Sequence, residues 1–278
     1  MFVNLWQNKQ DLKIKTTLTL FASIFIACQN GNPKVIANLP SSLPEISAIE
    51  KTTKSDLFWV IQDAGNNNHV YGLDEKGTIK ADITVENANN RDWEDLTSDK
   101  QGNLYIGDFG NNNKDKTTFS ILKIINPQAS MKSTKAEFIQ FSLPKDVKPK
   151  DFEAFLLYND YFYVFSKESK KFRTLKIPNR IGNHEAELIS EFNLKGKNNK
   201  ITSAAASLDG KRVYLLNHDK VWQFSEFEND NFFEGEIISI PFDHNTQKEG
   251  VFEIDNTLYI TDEYKKNEGG NLYKLSLN

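Results

Sequence analysis

Alternation of apolar and polar residues predicts short β-strands along most of the chain, because successive side chains of a strand point to opposite faces. Segments 79–85, 137–143 and 236–241 alternate in this way, and tight turns containing Gly, Asn or Asp separate the strands, as hairpins require. Apart from the apolar run 18–27, no segment keeps the 3.6-residue period of an amphipathic helix. The pattern therefore predicts an all-β protein.

The predicted strands recur as a unit of about 45 to 60 residues. Each unit has one alternating strand, a loop, two neighbouring strands and a fourth strand. The residue that starts the second strand is acidic in every copy but one; these residues are Glu45, Glu94, Glu153, Ser203 and Glu249. A repeated four-stranded antiparallel unit is typical of a β-propeller. We predict five blades, with six blades as the alternative.

The two ends of the chain complete the last blade in this interpretation. The final copy ends after its third strand, at Leu277, and segment 35–39 supplies the missing outer strand. Pairing of the N- and C-terminal strands removes open sheet edges, which otherwise invite aggregation. The prediction is a single propeller domain over residues 34–278, present as a monomer.

Composition limits the classes of function. With 38% hydrophobic and 12% aromatic residues, the 278-residue chain can build a globular core. The net charge is −4 and Lys and Arg are scattered, so no nucleic-acid partner is expected. The four histidines lack a zinc-binding spacing. No nucleophile elbow, phosphate-binding glycine loop or dinucleotide fingerprint is present, so the sequence identifies no catalytic residue.

The single cysteine stands at the end of the apolar run. Lys13 and Lys15 precede the run 18–27, and Cys28 follows it directly. A positive segment and an apolar segment of about ten residues form an export signal. The run is too short for a membrane-spanning helix.

This arrangement resembles a bacterial lipoprotein signal, in which the cysteine thiol takes a diacylglycerol and becomes the new N-terminus. Phe25 departs from the pattern, since such signals usually have leucine there. The resemblance implies a signal peptide over 1–28, a polar tether over 29–33 and a lipid-anchored protein of the bacterial envelope, at the outer membrane or cell surface. An ordinary signal peptide or a buried core cysteine are the alternatives.

Acidic residues flank the strands that would line the channel. In a propeller blade the loop before the inner strand and the loop after the next strand lie on one face, because the two strands are antiparallel. The predicted ring of acids at that mouth comprises Glu45, Asp63, Glu94, Asp108, Glu153, Glu249 and Asp262. Such carboxylates either share protons or bind a cation, and their oxygen atoms suit calcium. Loop capping and pairing with lysine are the structural alternatives.

Segments 92–96 with 104–108, and 249–251 with 258–262, resemble a broad propeller group. This group includes SdiA-regulated proteins, esterase-like phytases, and TolB- and gluconolactonase-type propellers. The resemblance implies calcium in the channel and, for some members, hydrolysis of phosphoesters or lactones; these relatives usually have six blades. Two hypotheses follow: a binding or scaffold lipoprotein with a channel metal, or a calcium-dependent hydrolase. The missing acid of the fourth copy favours the first.

Overall fold

The structure is a computed structural model that describes residues 32–265 and 267–277. The predicted signal peptide 1–28 with Cys28, and residues 29–31 of the predicted tether, lie outside the described residues. The described ranges contain the strands β1–β22 and one 3-10 turn, η1 (Phe232–Glu234). No helix within these ranges is both long enough and apolar enough to cross a membrane.

The strands form five sheets arranged as the blades of a propeller, so the prediction of an all-β, five-bladed fold is confirmed. The first blade comprises β2 (Ile46–Glu50), β3 (Phe58–Gln62), β4 (His69–Leu73) and β5 (Ile79–Val85). The second comprises β6 (Trp93–Ser98), β7 (Leu104–Asp108), β8 (Thr118–Ile124) and β10 (Glu137–Ser142). The third comprises β11 (Phe152–Tyr158), β12 (Tyr161–Ser166), β13 (Phe172–Pro178) and β15 (Glu187–Phe192). The fourth comprises β16 (Ser203–Ala206), β17 (Val213–Leu216), β18 (Lys220–Ser225) and β19 (Glu236–Pro241).

The fifth blade is built from both ends of the described chain. It comprises β20 (Lys248–Ile254), β21 (Thr257–Asp262), β22 (Asn271–Ser276) and β1 (Lys34–Asn38). Strand β1 pairs antiparallel with β22, with Lys34 opposite Lys274 and Asn38 opposite Asn271. The predicted closure of the ring is therefore confirmed.

Two short strands that the sequence pattern does not predict connect neighbouring blades. Strand β9 (Ser133–Thr134) leaves the second blade and pairs parallel with β5 of the first. Strand β14 (Gly182–Glu185) leaves the third blade and pairs parallel with β10 of the second. Both come from loops, so no alternation of their own marks them. They join the outer edges of the first three blades.

The hydrophobic core lies between the blades and not inside any one of them. Trp59 of the first blade and Trp93 of the second are fully buried in one cluster. Between the second and third blades, Phe119 contacts Phe152 edge to face, with ring centroids 5.4 Å apart. Each fully buried aromatic side chain stabilises the fold by about 2 kcal/mol or more. This packing fixes how the inner strands β2, β6, β11, β16 and β20 face one another around the channel.

Candidate functional site

Three glutamates sit on β-bulges at the start of inner strands. In the second blade Trp93 lies opposite Asp108 and Asp95 lies opposite Gly107, so Glu94 is the extra residue. Glu153 and Glu249 are the extra residues in the third and fifth blades. A bulge re-aims the side chain of its extra residue. The equivalent position in the first blade is Ser47, not Glu45.

A second set of side chains lies one residue beyond the paired end of the neighbouring strand. In register, Gln62, Asp108, Ser166 and Asp262 are equivalent, because each pairs with the residue just before a bulge. The residues one step further are Asp63, Phe109, Lys167 and Glu263. Successive side chains of a strand point to opposite faces, so the residues at the paired ends and the residues one step further point in different directions.

Asp108 and Asp262 are bonded within their own blades. Arg91 Nη2 lies 2.7 Å from Asp108 Oδ2, and the Asp92 amide donates to Asp108 Oδ1 at 3.2 Å. Asp262 accepts a 2.6 Å hydrogen bond from the Tyr273 hydroxyl and is fully buried. The structure therefore gives these two predicted ring members partners other than the carboxylates of the channel.

Three carboxylates meet at one mouth of the channel. One carboxylate oxygen from each of Asp63, Asp92 and Glu94 lies within 4.8 Å of the other two. Burial raises the pKa of Asp63 and of Asp92 above the ordinary aspartate value. Gly110 lies directly against the group, since a Cβ at that position would overlap Glu94 Oε1 and Asp92 Cγ. We call this trio of carboxylates the acidic cluster and this end of the channel the acidic mouth.

Glu94 is the least compensated member of the acidic cluster. Its side chain is buried, with 6% of the residue exposed, and within the described ranges no hydrogen-bond donor or cation contacts its carboxylate. By contrast, Lys116 Nζ lies 3.4 Å from Asp92, and the Ala64 amide donates to Asp63. Burial raises the pKa of Glu94 well above its ordinary value, and the carboxylates of Glu153 and Asp63 raise it further. Burial without a partner favours a carboxylate that holds a proton or binds a cation.

The remaining bulge glutamates carry basic partners. Lys167 Nζ lies 2.7 Å from Glu153 Oε2, and His218 Nε2 lies 3.3 Å from Glu249 Oε1. Burial raises the pKa of Glu153 to about 8, although Lys167 acts in the opposite direction. Burial would lower the pKa of Lys167, but Glu249 and Glu153 raise it above the ordinary lysine value. The acidic mouth is thus a mixed ring in which Lys167 compensates part of the charge.

Glu45 lies at the rim of the same mouth. Its side chain is exposed and accepts a 2.8 Å hydrogen bond from Asn66 Nδ2, while its carbonyl accepts the Asp63 amide at 3.0 Å.

Sequence reasoning missed Asp92 and Glu263 as members of the mouth. Burial raises the pKa of Glu263 to about 8, and the charges of Glu249 and Asp63 add to that effect. When the copies are aligned at their bulges, Asp262 is the equivalent of Gln62, and Glu263 is the equivalent of Asp63. That alignment would have found Glu263.

Asp95 reaches across the channel beside the acidic cluster. Its carboxylate accepts the amides of Phe155 at 2.9 Å and Ala204 at 3.1 Å, and the Ser203 hydroxyl at 2.9 Å. The Val251 amide donates in turn to Ser203 Oγ at 3.0 Å. Asp95 and Ser203 are both fully buried. One carboxylate therefore joins the second, third and fourth blades, and the serine extends the network to the fifth.

Comparisons with known proteins identify the fold and no family. No protein-family model matches this chain, and no curated protein matches it in sequence. An aldose sugar dehydrogenase from Streptomyces coelicolor, solved in its PQQ-bound form, matches with a TM-score of 0.53 and 7% identity over 88% of this chain and 98% of that chain. A gluconolactonase from Xanthomonas campestris matches with a TM-score of 0.51 and 10% identity over 90% of this chain and 91% of that chain. At such low identity these likenesses show the β-propeller fold alone.

Proposed function

We propose that this protein is a binding or scaffold propeller of the bacterial envelope, with calcium held at its acidic mouth. The observation that carries the proposal is the acidic cluster, in which Asp63, Asp92 and Glu94 oxygens lie within 4.8 Å of one another and Glu94 has no other partner in the described ranges. Three carboxylate oxygens are hard ligands, the type that calcium prefers.

The acidic cluster is better suited to hold a divalent cation than to keep three carboxylates close together without one. Bound calcium would supply a fixed positive charge that keeps Asp63, Asp92 and Glu94 ionised. Protons held by the cluster in the absence of the cation would be released on binding. Lys116 and Lys167 already compensate Asp92 and Glu153, which leaves Glu94 as the carboxylate that depends most on the cation.

A thermal melt in calcium and then in excess chelator tests the metal site. A ligand that binds only the folded state raises the melting midpoint by mass action. We expect calcium to raise the Tm of the wild-type protein, and Glu94→Gln to remove most of that rise. Glu45→Gln is the matched control, because it removes an exposed carboxylate at the same mouth. An unchanged Tm in calcium, or equal effects of the two variants, would argue against the site.

Lipid anchoring at Cys28 is the second part of the proposal and rests on the signal-like sequence before that residue. Cys28→Ser should move the protein from the membrane fraction to the soluble fraction of the cells that produce it. Mass spectrometry of the wild-type N-terminus should show the added diacylglycerol. A wild-type protein whose N-terminus carries no lipid would contradict the anchor and leave the metal site unaffected.

A calcium-dependent hydrolase of lactones or phosphoesters is the alternative function, and His218 favours it. The side chain of this histidine is 40% exposed and contacts Glu249. It also lines a cavity of about 270 Å³ beside the acidic mouth. A partly exposed imidazole next to a carboxylate is suited to general-base catalysis. One structural neighbour is a gluconolactonase, but only its fold is shared.

Turnover of gluconolactone and of p-nitrophenyl phosphate distinguishes the two functions. If the protein is a hydrolase, His218→Gln should lower kcat by about 100-fold and leave the calcium-dependent rise in Tm unchanged. If neither compound is hydrolysed in calcium above the uncatalysed rate, hydrolysis of these two probes is ruled out and the binding function stands.

A further inference from the structure

A cavity of about 430 Å³ opens at the other end of the channel, which we call the far mouth. All five blades contribute to it through the ends of their inner strands and the turns that follow; the contributing residues are 50–53, 97–101, 157, 159–160, 205–208 and 252–254. Its volume lies within the range typical of small-molecule sites. Asp95 and Ser203 are both fully buried and lie on the inner strands between this cavity and the acidic cluster.

The polar groups around the far mouth combine hydroxyls with a carboxyl. Thr52 is 2% exposed, and its hydroxyl has no hydrogen-bond partner in the described ranges. Thr97 Oγ1 accepts the Leu157 amide at 3.3 Å, which leaves its hydroxyl hydrogen available to a ligand. Burial raises the pKa of Glu50 to about 8, so this carboxyl can also donate a hydrogen bond at neutral pH. Such groups both donate and accept.

Apolar residues form a second part of the lining. Leu157, Phe252 and Ile254 supply one part of the wall, and Ala205 and Ala206 supply another part without filling the space. A ligand with an apolar face and several hydroxyls would satisfy both kinds of wall. Carboxylates and lysines share the rim; they are Asp99, Asp160 and Glu253 with Lys51 and Lys100. An ion of either sign would be attracted on one side and repelled on another, so the rim favours a ligand without net charge.

We propose that the far mouth binds a small, neutral, hydroxyl-rich ligand of the size of a mono- or disaccharide. The site is separate from the acidic cluster and does not depend on calcium. It gives the propeller two binding sites on opposite faces, with the buried network of Asp95 between them.

Saturation-transfer NMR and titration calorimetry on the full chain test this proposal. The probes are methyl β-glucoside and trehalose as neutral ligands, gluconate as the anion and glucosamine as the cation. We expect saturable binding of at least one neutral probe with a Kd of about 1 mM or below. Binding should be unchanged by chelator and by Glu94→Gln, whatever those changes do to calcium binding.

Two variants locate the binding. Ala206→Leu should weaken it at least tenfold by filling the cavity. Ser98 lines the same wall and hydrogen-bonds the Glu50 carboxyl, so Ser98→Ala should weaken binding about fivefold by removing that hydroxyl. Ser225→Ala is the matched control, since that serine lies outside this cavity. Melting curves check that each variant is folded. Tighter binding of gluconate or glucosamine, equal binding by Ala206→Leu, or no binding of either neutral probe would overturn the proposal.

Discussion

The hydroxyl of Ser203 donates a 2.9 Å hydrogen bond to Asp95 Oδ1, and so joins the fourth blade to the second across the axis of the channel. The third blade lies between them along the ring, and it is bonded to the same carboxylate through the Phe155 amide. A single side chain thus holds the inner strands of three blades. Its removal should affect the closed ring as a whole.

Asp95→Asn should destabilise the fold by about 3 kcal/mol, because in either orientation the amide nitrogen faces a backbone N–H: those of Phe155 and Ala204 on one side, or that of Leu96 on the other. The Tm should fall by roughly 6 to 10 °C. Differential scanning calorimetry measures the change. Asp115→Asn, at an exposed loop position, serves as the control and should shift Tm by less than about 1 °C. Similar Tm values for the two variants would show that the cross-channel bonds contribute little.

Stability without calcium should fall as the pH rises from about 5 to 8. Burial raises the pKa values of Glu50 and Glu263 to about 8 and that of Glu94 well above the ordinary glutamate value of 4.5. Between these pH values the folded protein retains protons that the unfolded chain releases, so unfolding is favoured as the pH increases.

Melting curves in chelator at pH 5, 6, 7 and 8 should therefore show a fall in Tm of about 5 °C or more. Calcium should reduce the fall, because it stabilises the ionised carboxylates of the acidic cluster. The exposed-site variant Glu45→Gln should keep the wild-type slope. A Tm that is constant or rises over this range in chelator would contradict the inferred protonation of the buried glutamates.

Gly110→Ala should weaken calcium binding about tenfold, since the added Cβ would overlap the Glu94 and Asp92 carboxylates. Both clashing groups are side-chain ends that can move, so the fold should lose less than about 1 kcal/mol. Gly250→Ala is the contrasting variant. Its Cβ would lie 2.7 Å from the Ile49 amide nitrogen, on the backbone of the next blade, and should lower Tm more than calcium affinity. If calorimetry showed a larger loss of calcium affinity in Gly250→Ala than in Gly110→Ala, the placement of calcium beside Gly110 would be contradicted.

Asp108→Asn and Asp262→Asn test whether calcium binds at the acidic cluster alone or at the larger ring of acids predicted from the sequence. Both aspartates bond within their own blades, so each variant should cost about 1 to 3 kcal/mol of stability. The rise in Tm on adding calcium should stay the same as in the wild type. If either variant abolished that rise, the metal site would include a residue that the geometry assigns to blade packing.

Blade number and ring closure could be predicted because repeat period and alternation belong to the chain itself. The acids of the mouth could be located only in part. Asp63 and Asp108 look equivalent in sequence, yet the register places Asp108 at the paired end of its strand and Asp63 one residue beyond it. The bulge residue is Ser47 in the first blade and Glu94 in the second, so Glu45 is not the equivalent of Glu94, and a one-residue shift in register turns a side chain to the other face. Contacts between blades fix that bulge, and no local pattern reveals them.

The position of β1 also has a consequence for synthesis. Asn38 pairs with Asn271, 233 residues further along, so the strand that closes the ring leaves the ribosome long before the strand with which it pairs. Pairs so distant in sequence form slowly. Until they form, the fifth blade has an open edge that can pair with another chain. Ring closure should therefore be the last folding event, and the interval before it should be when this protein is most prone to aggregate.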